Sequence, residues 1–150
     1  MDVRLLAAIA ATLMLVIGVM WVVPTTPNSN NFRFDIPRRG LSDARPIEFA
    51  KPVQGNIVDG SDADFYRIGP LQGSLRLDVR LDASAKLIPG LFIVDGAKNI
   101  VQEKTAEYVR SPGASISSSF PGQPGMTYYF QVFGQRNTTG SYALTVTADQ

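Results

Sequence analysis

The residues best placed for chemistry in this 150-residue chain lie in one acidic stretch, Asp59-Gly60-Ser61-Asp62-Ala63-Asp64. Carboxylates clustered in a glycine-containing turn are the oxygen donors that a hard cation such as calcium takes. Their spacing is shorter than an EF-hand loop and lacks its closing glutamate. The same aspartates serve equally as turn caps, a side-chain oxygen accepting a nearby backbone N–H, and that is their simpler use. Asp59, Asp62 and Asp64 are thus the candidate calcium ligands; no other cofactor is expected. A second set is aromatic. Strand alternation assigns Tyr128, Phe130 and Val132 to one face and leaves Tyr129 and Phe133 on the other. An outward pair of that kind stacks on a sugar or grips a peptide, although core packing is the usual fate of strand aromatics.

Nucleophilic chemistry has little support. The chain contains no histidine and no cysteine. That removes the commonest general base near neutral pH, the Ser-His-Asp triad, thiol nucleophiles, zinc ribbons and disulfides. Ser111, Ser115, Ser117, Ser118 and Ser119 would need a lysine partner, and nothing in the order of residues brings Lys98 or Lys104 to them. Asn137-Thr138-Thr139 matches a glycosylation sequon but reads as hairpin chemistry. With 14 Lys+Arg against 13 Asp+Glu, the net charge of +1 gives no field for nucleic acid.

The elements that must hold these residues are short strands. Leu75, Leu77, Val79 and Leu81 alternate with Arg76, Asp78, Arg80 and Asp82, a strand with one buried and one wet face. Tyr142, Leu144 and Val146 repeat the pattern. Ile116 and Phe120 flank a serine-rich strand, and Leu91-Phe92-Ile93-Val94 reads as a strand covered on both sides. Asp59-Gly60, Pro89-Gly90, Asp95-Gly96, Pro112-Gly113, Pro121-Gly122 and Pro124-Gly125 punctuate them as turns. No helical stripe follows residue 45. About eight such strands predict an all-β fold, an antiparallel β-sandwich of jelly-roll type, over residues 46–148.

Ahead of it, Leu5–Val23 is a run of 19 uncharged residues, ten of them Leu, Ile or Val. As a helix it spans about 28 Å, a bilayer's hydrocarbon thickness, and its aliphatic residues alone give roughly −3 to −6 kcal/mol of insertion free energy. The run outlasts a signal peptide's apolar core and lacks a small-residue cleavage site, so residues 5–23 read as an uncleaved transmembrane signal anchor. Residues 1–4, with Arg4, form a cytoplasmic N-terminus. Residues 24–45 read as a polar, Pro-rich linker, with Phe32, Phe34 and Ile36 adding an edge strand. The domain is then extracytoplasmic, at a bacterial inner membrane or cell surface.

The order of the pieces resembles the bacterial pre-peptidase C-terminal domain family. The matching features run from Val53-Gln54-Gly55-Asn56-Ile57 through Asp62-Ala63-Asp64-Phe65-Tyr66-Arg67-Ile68 and Gly73-Ser74-Leu75-Arg76-Leu77-Asp78-Val79. They continue at Leu87–Asp95 and close on Gly125-Met126-Thr127-Tyr128-Tyr129-Phe130-Gln131-Val132 and Gly140-Ser141-Tyr142-Ala143-Leu144-Thr145-Val146. The resemblance implies an exported, non-catalytic jelly-roll-like sandwich of a kind that accompanies a secreted peptidase or surface protein, with calcium bound in several members. No peptidase is expected ahead of the domain. The expected role is a membrane-anchored module that binds protein or carbohydrate at the cell envelope. The alternatives are an accessory subunit of a membrane complex or secreted peptidase, and a small envelope hydrolase using Asp59 with Asp62 or Asp64.

Overall fold

The computed structural model describes residues 38–104 and 111–149. The expected anchor at 5–23 and the edge strand at Phe32, Phe34 and Ile36 lie outside them. No helix among the described residues is long and apolar enough to cross a membrane.

A short helix α1 (Arg38–Ser42) leads into nine strands: β1 (Arg45–Pro46), β2 (Val53–Ile57), β3 (Ala63–Ile68), β4 (Leu75–Ala83), β5 (Pro89–Asp95), β6 (Ile100–Lys104), β7 (Ser115–Gly122), β8 (Tyr128–Gly134) and β9 (Gly140–Asp149). They form two sheets, ordered β1-β3-β8-β5-β6 and β2-β9-β4-β7. Strands β2 to β9 alternate between the sheets except at the β5–β6 hairpin, which is the strand order of a jelly roll. All but one of the pairings are antiparallel. The exception is β1 beside β3, which run parallel and meet at Arg45↔Tyr66 and Pro46↔Arg67.

Period-two patterning decides which side chains enter the space between the sheets. Leu77, Val79 and Leu81 of β4, Phe130 and Val132 of β8, and Leu144 and Val146 of β9 are all buried there. Arg76 and Arg80 stay wet. β5 is covered on both faces, since Leu91, Phe92, Ile93 and Val94 are all buried; Leu91 and Ile93 join the core.

The tether read over residues 24–45 gives way to folded structure in its described part. Leu41 and Ala44 are buried, Gly40 packs closely on the Phe65 ring, and Arg45 enters the sheet. A polar composition hid this, because the contacts are made by one leucine, one alanine, one glycine and one arginine.

The β8–β9 connection is a 3-10 turn, Gln135–Asn137, with Arg136 and Asn137 at positive φ. Asn137 and Thr138 thus do turn work: the Thr138 hydroxyl accepts from Ile88 N–H at 2.9 Å and donates to the Gln135 carbonyl at 2.7 Å. Gly134 sits so close to this turn that a Cβ there would stand 1.9 Å from the Thr138 carbonyl oxygen. Gly134→Ala is expected to destabilise the protein by about 1–3 kcal/mol through overpacking, read as a lowered urea midpoint at unchanged m; an unshifted midpoint would show that the turn yields freely.

Candidate functional site

The acidic turn between β2 and β3 is closed by its own backbone. Asp59 Oδ1 accepts from the Ser61 N–H at 2.8 Å and from its hydroxyl at 2.7 Å. These bonds, the side-chain one first, hold the Asp59 carboxyl below the usual carboxylate range. Asp62 Oδ2 accepts from the Val58 N–H at 2.8 Å. Asp64 turns elsewhere and accepts from the Tyr142 hydroxyl. The three carboxylates therefore serve separate tasks and do not fit a calcium ion as a set. Among the described residues, no three His, Cys, Asp or Glu side chains gather to hold a metal.

Asp64 belongs instead to a polar chain that joins the two sheets. Arg45 Nη2 donates to the Tyr66 hydroxyl at 2.9 Å, Tyr66 and Tyr142 hydroxyls meet at 2.6 Å, and Tyr142 donates to Asp64. With Tyr142 donating to the carboxylate, the shared proton between the phenols comes from Tyr66, so all four groups run in one direction. The Arg45 guanidinium also lies 4.9 Å from the Tyr66 ring centroid, a cation–π contact. Tyr66 stands on β3 and Tyr142 on β9, with rings edge to face at 6.4 Å. Gly55, opposite Tyr142 in the β2–β9 register, leaves room for the ring, since a Cβ there would fall 2.2 Å from its Cζ and hydroxyl. Burial pushes the ionisation of both phenols upward; the bond to Asp64 adds to this at Tyr142. Asp64 also lines a recess of about 300 Å³ with Asp43 and Arg45.

Tyr129 and Phe133 do face away from the core, as their phase requires, while Tyr128, Phe130 and Val132 are buried. Both are half-buried rather than free. Phe133 stacks on Phe92, centroids 5.2 Å apart and planes within 18°, and packs on the Cβ-less Gly90. This is an aromatic layer on the outside of the five-stranded sheet.

Among the described residues, no hydrogen bond joins a serine of β7 to a lysine. Ser115 donates to Asp82, while the hydroxyls of Ser118 and Ser119 are buried without a hydrogen-bond partner among the described residues. Asp82 also receives the Arg80 Nε at 2.8 Å; that bond first, then Ser115, draws its carboxyl below the ordinary range. Asp78, Arg80, Asp82, Ser117, Thr145 and Thr147 line a depression of about 600 Å³ on the wet face of the four-stranded sheet.

A larger cleft of about 880 Å³ opens at one end of the sandwich, between the β1–β2 and β3–β4 connections. Ile47, Ile68, Leu71 and Leu75 contribute apolar surface, and Glu48, Gln72 and Ser74 polar groups. Phe49 also lines it, 37 % exposed. Leu71 is tied beneath by backbone bonds, its N–H to the Met126 carbonyl at 3.0 Å and its carbonyl from the Gly125 N–H at 2.7 Å. The cleft escaped sequence reasoning because its walls come from two connections without periodicity; the one local signal is Phe49 in a polar neighbourhood.

No family model and no curated protein matches the chain. Solved structures do. The pre-peptidase C-terminal domain of collagenase from Bacillus anthracis superposes with a TM-score of 0.58 at 20% identity, covering 69% of this chain and 94% of that one. PliG of Aeromonas hydrophila, a periplasmic inhibitor of g-type lysozyme, reaches a TM-score of 0.49 at 14% identity, with the same 69% and 94% coverage. The strand order described above is thus the fold of a pre-peptidase C-terminal domain, the family that the order of residues resembles.

Proposed function

We propose that this chain is a non-catalytic binding module, carried at a bacterial cell envelope by the apolar segment 5–23 and offering its sandwich to a polypeptide partner. The end cleft carries this reading. Its volume suits an extended side chain or two, its floor is aliphatic, and Phe49 supplies an exposed aromatic anchor of the kind that concentrates binding energy. Glu48, Gln72 and Ser74 at its sides offer hydrogen-bond partners to a peptide backbone. Support for the anchor comes from the length and hydropathy of the segment itself.

Two measurements test the reading. The full-length protein should stay with the membrane pellet through alkaline carbonate extraction. Photo-crosslinking to an envelope protein in whole cells should fall at least about tenfold for Phe49→Ala, the loss of one interface anchor, and be unchanged for Tyr129→Ala. Extraction into the supernatant would remove the anchor. Equal crosslinking by wild type and Phe49→Ala would remove the cleft.

A further inference from the structure

Among the described residues the two sheets end in four edge strands, β1 and β6 in one, β2 and β7 in the other. A strand edge presents unpaired N–H and C=O groups to any second strand, and folded proteins blunt it with brevity, proline, charge or a bulge. Three of these edges are blunted. β1 is two residues long and ends in Pro46. β6 meets β5 through a register shift at Ile93/Val94 and contains Glu103 and Lys104. β2 has five residues, follows Pro52 and carries Gly55 at its centre.

β7 is different. Its first six residues, Ser115-Ile116-Ser117-Ser118-Ser119-Phe120, carry no charge, no proline and no glycine; Pro121 and Gly122 only close the strand. It pairs with β4 in unbroken register from Leu75↔Gly122 to Asp82↔Ser115, so no bulge turns it away. The same strand holds an unusual debt in hydrogen bonding: Ser118 is 7 % exposed, and its hydroxyl and that of Ser119 are buried and unpartnered among the described residues. Buried hydroxyls are nearly always satisfied in folded proteins.

We propose that β7 is a self-association edge, pairing antiparallel with β7 of a second copy about a dyad at Ser118. The segment is close to symmetric in residue type around that position, Ile-Ser-Ser-Ser-Phe. Ser118 then faces the Ser118 of the second copy, Ser117 faces Ser119, and Ile116 faces Phe120. These offsets are even, so each inward side chain meets an inward one and the apolar face continues across the junction. Opposed serines in an antiparallel pair have Cβ atoms about 4.5–5.5 Å apart, within reach of a hydroxyl–hydroxyl bond. Both unpartnered hydroxyls thereby gain a partner. Two four-stranded sheets become one of eight strands, and because the edge is isologous, assembly stops at two copies. A hetero-partner would have no reason to match the symmetry of this segment.

The chain has no cysteine, so one introduced thiol reports its own neighbourhood. In the full-length protein in detergent micelles, Ser118→Cys should oxidise to a covalent dimer on a non-reducing gel, since the Cα atoms of facing residues lie about 4.5–5.5 Å apart, within the span that a disulfide bridges. Ser117→Cys and Ser119→Cys should each stay monomeric alone and crosslink when mixed. Ser74→Cys, exposed on the β3–β4 connection, should not crosslink. Native mass spectrometry of the unsubstituted protein should give the mass of two copies. A monomeric mass, a dimer in which Ser118→Cys fails to crosslink, or crosslinking as strong at Ser74→Cys would each overturn the proposal; the first two outcomes leave cleft binding untouched.

Discussion

Truncating Phe130 to alanine should cost about 3–5 kcal/mol of folding free energy, the range for emptying a fully buried aromatic site. Phe130 is 0% exposed and stands on β8, the central strand of the five-stranded sheet. Tyr66 lies opposite on one side and Ile93 on the other, so neither neighbouring strand can close over the gap without losing its own pairing. Domains of this size hold only about 5–15 kcal/mol in reserve, and the variant is expected near the limit of folding. Equilibrium urea unfolding followed by tyrosine fluorescence measures it. A loss under about 1 kcal/mol would mean that the two sheets close around the missing ring.

Tyr142→Phe should be the most damaging change that removes a single atom. The lost hydroxyl donates to a carboxylate and accepts from Tyr66, and hydrogen bonds to charged groups are worth about 1.5–3 kcal/mol. The half-buried Asp64 is left without this donor. A double-mutant cycle with Tyr66→Phe should show coupling, because the second hydroxyl has already lost its acceptor once the first is gone. Additive losses would break the chain into independent bonds. The pH dependence follows from the direction of both shifts. In the unfolded chain the two tyrosines ionise near pH 10; in the fold they ionise higher. Above pH 10 the unfolded state therefore binds fewer protons than the folded one, and stability falls as pH rises. Their contribution is intact below pH 10. The Tyr66→Phe/Tyr142→Phe double variant, less stable at neutral pH, should lose stability more gently between pH 10 and 11; an equally steep decline would assign the alkaline loss to other groups.

The parts of this fold that were legible in the sequence are those governed by period-two burial. β4, β8 and β9 announced themselves because leucine, valine and aromatic residues alternate with charged or hydroxylated ones. The double coverage of β5 was equally plain from four consecutive apolar residues. The acidic turn carried its own explanation, since Asp59 and Asp62 cap backbone groups within four residues of themselves. What escaped was everything made by distant residues. Tyr142 was legible as an alternating strand residue and Tyr66 only as part of a strand motif, and nothing local joins their hydroxyls or brings Asp64 to them. Arg45 was counted as tether because its partner stands on β3, and β1, at two residues, is too short for any period to show. β7 was read as a serine-rich strand flanked by Ile116 and Phe120; that Ser118 on its inward face and Ser119 on the other hold buried, unpaired hydroxyls is invisible in composition.

The last strand has a further consequence. β9 lies between β2 and β4 and pairs with both, while among the described residues β2 finds no other strand partner in its sheet. During synthesis β2 must therefore wait, unpaired within that sheet, until Tyr142 and Leu144 have left the ribosome. Such late closure makes folding slow and leaves apolar surface open meanwhile. Late closure of this kind would suit the envelope location proposed above, since a polypeptide still loose can be threaded through a narrow pore before it locks.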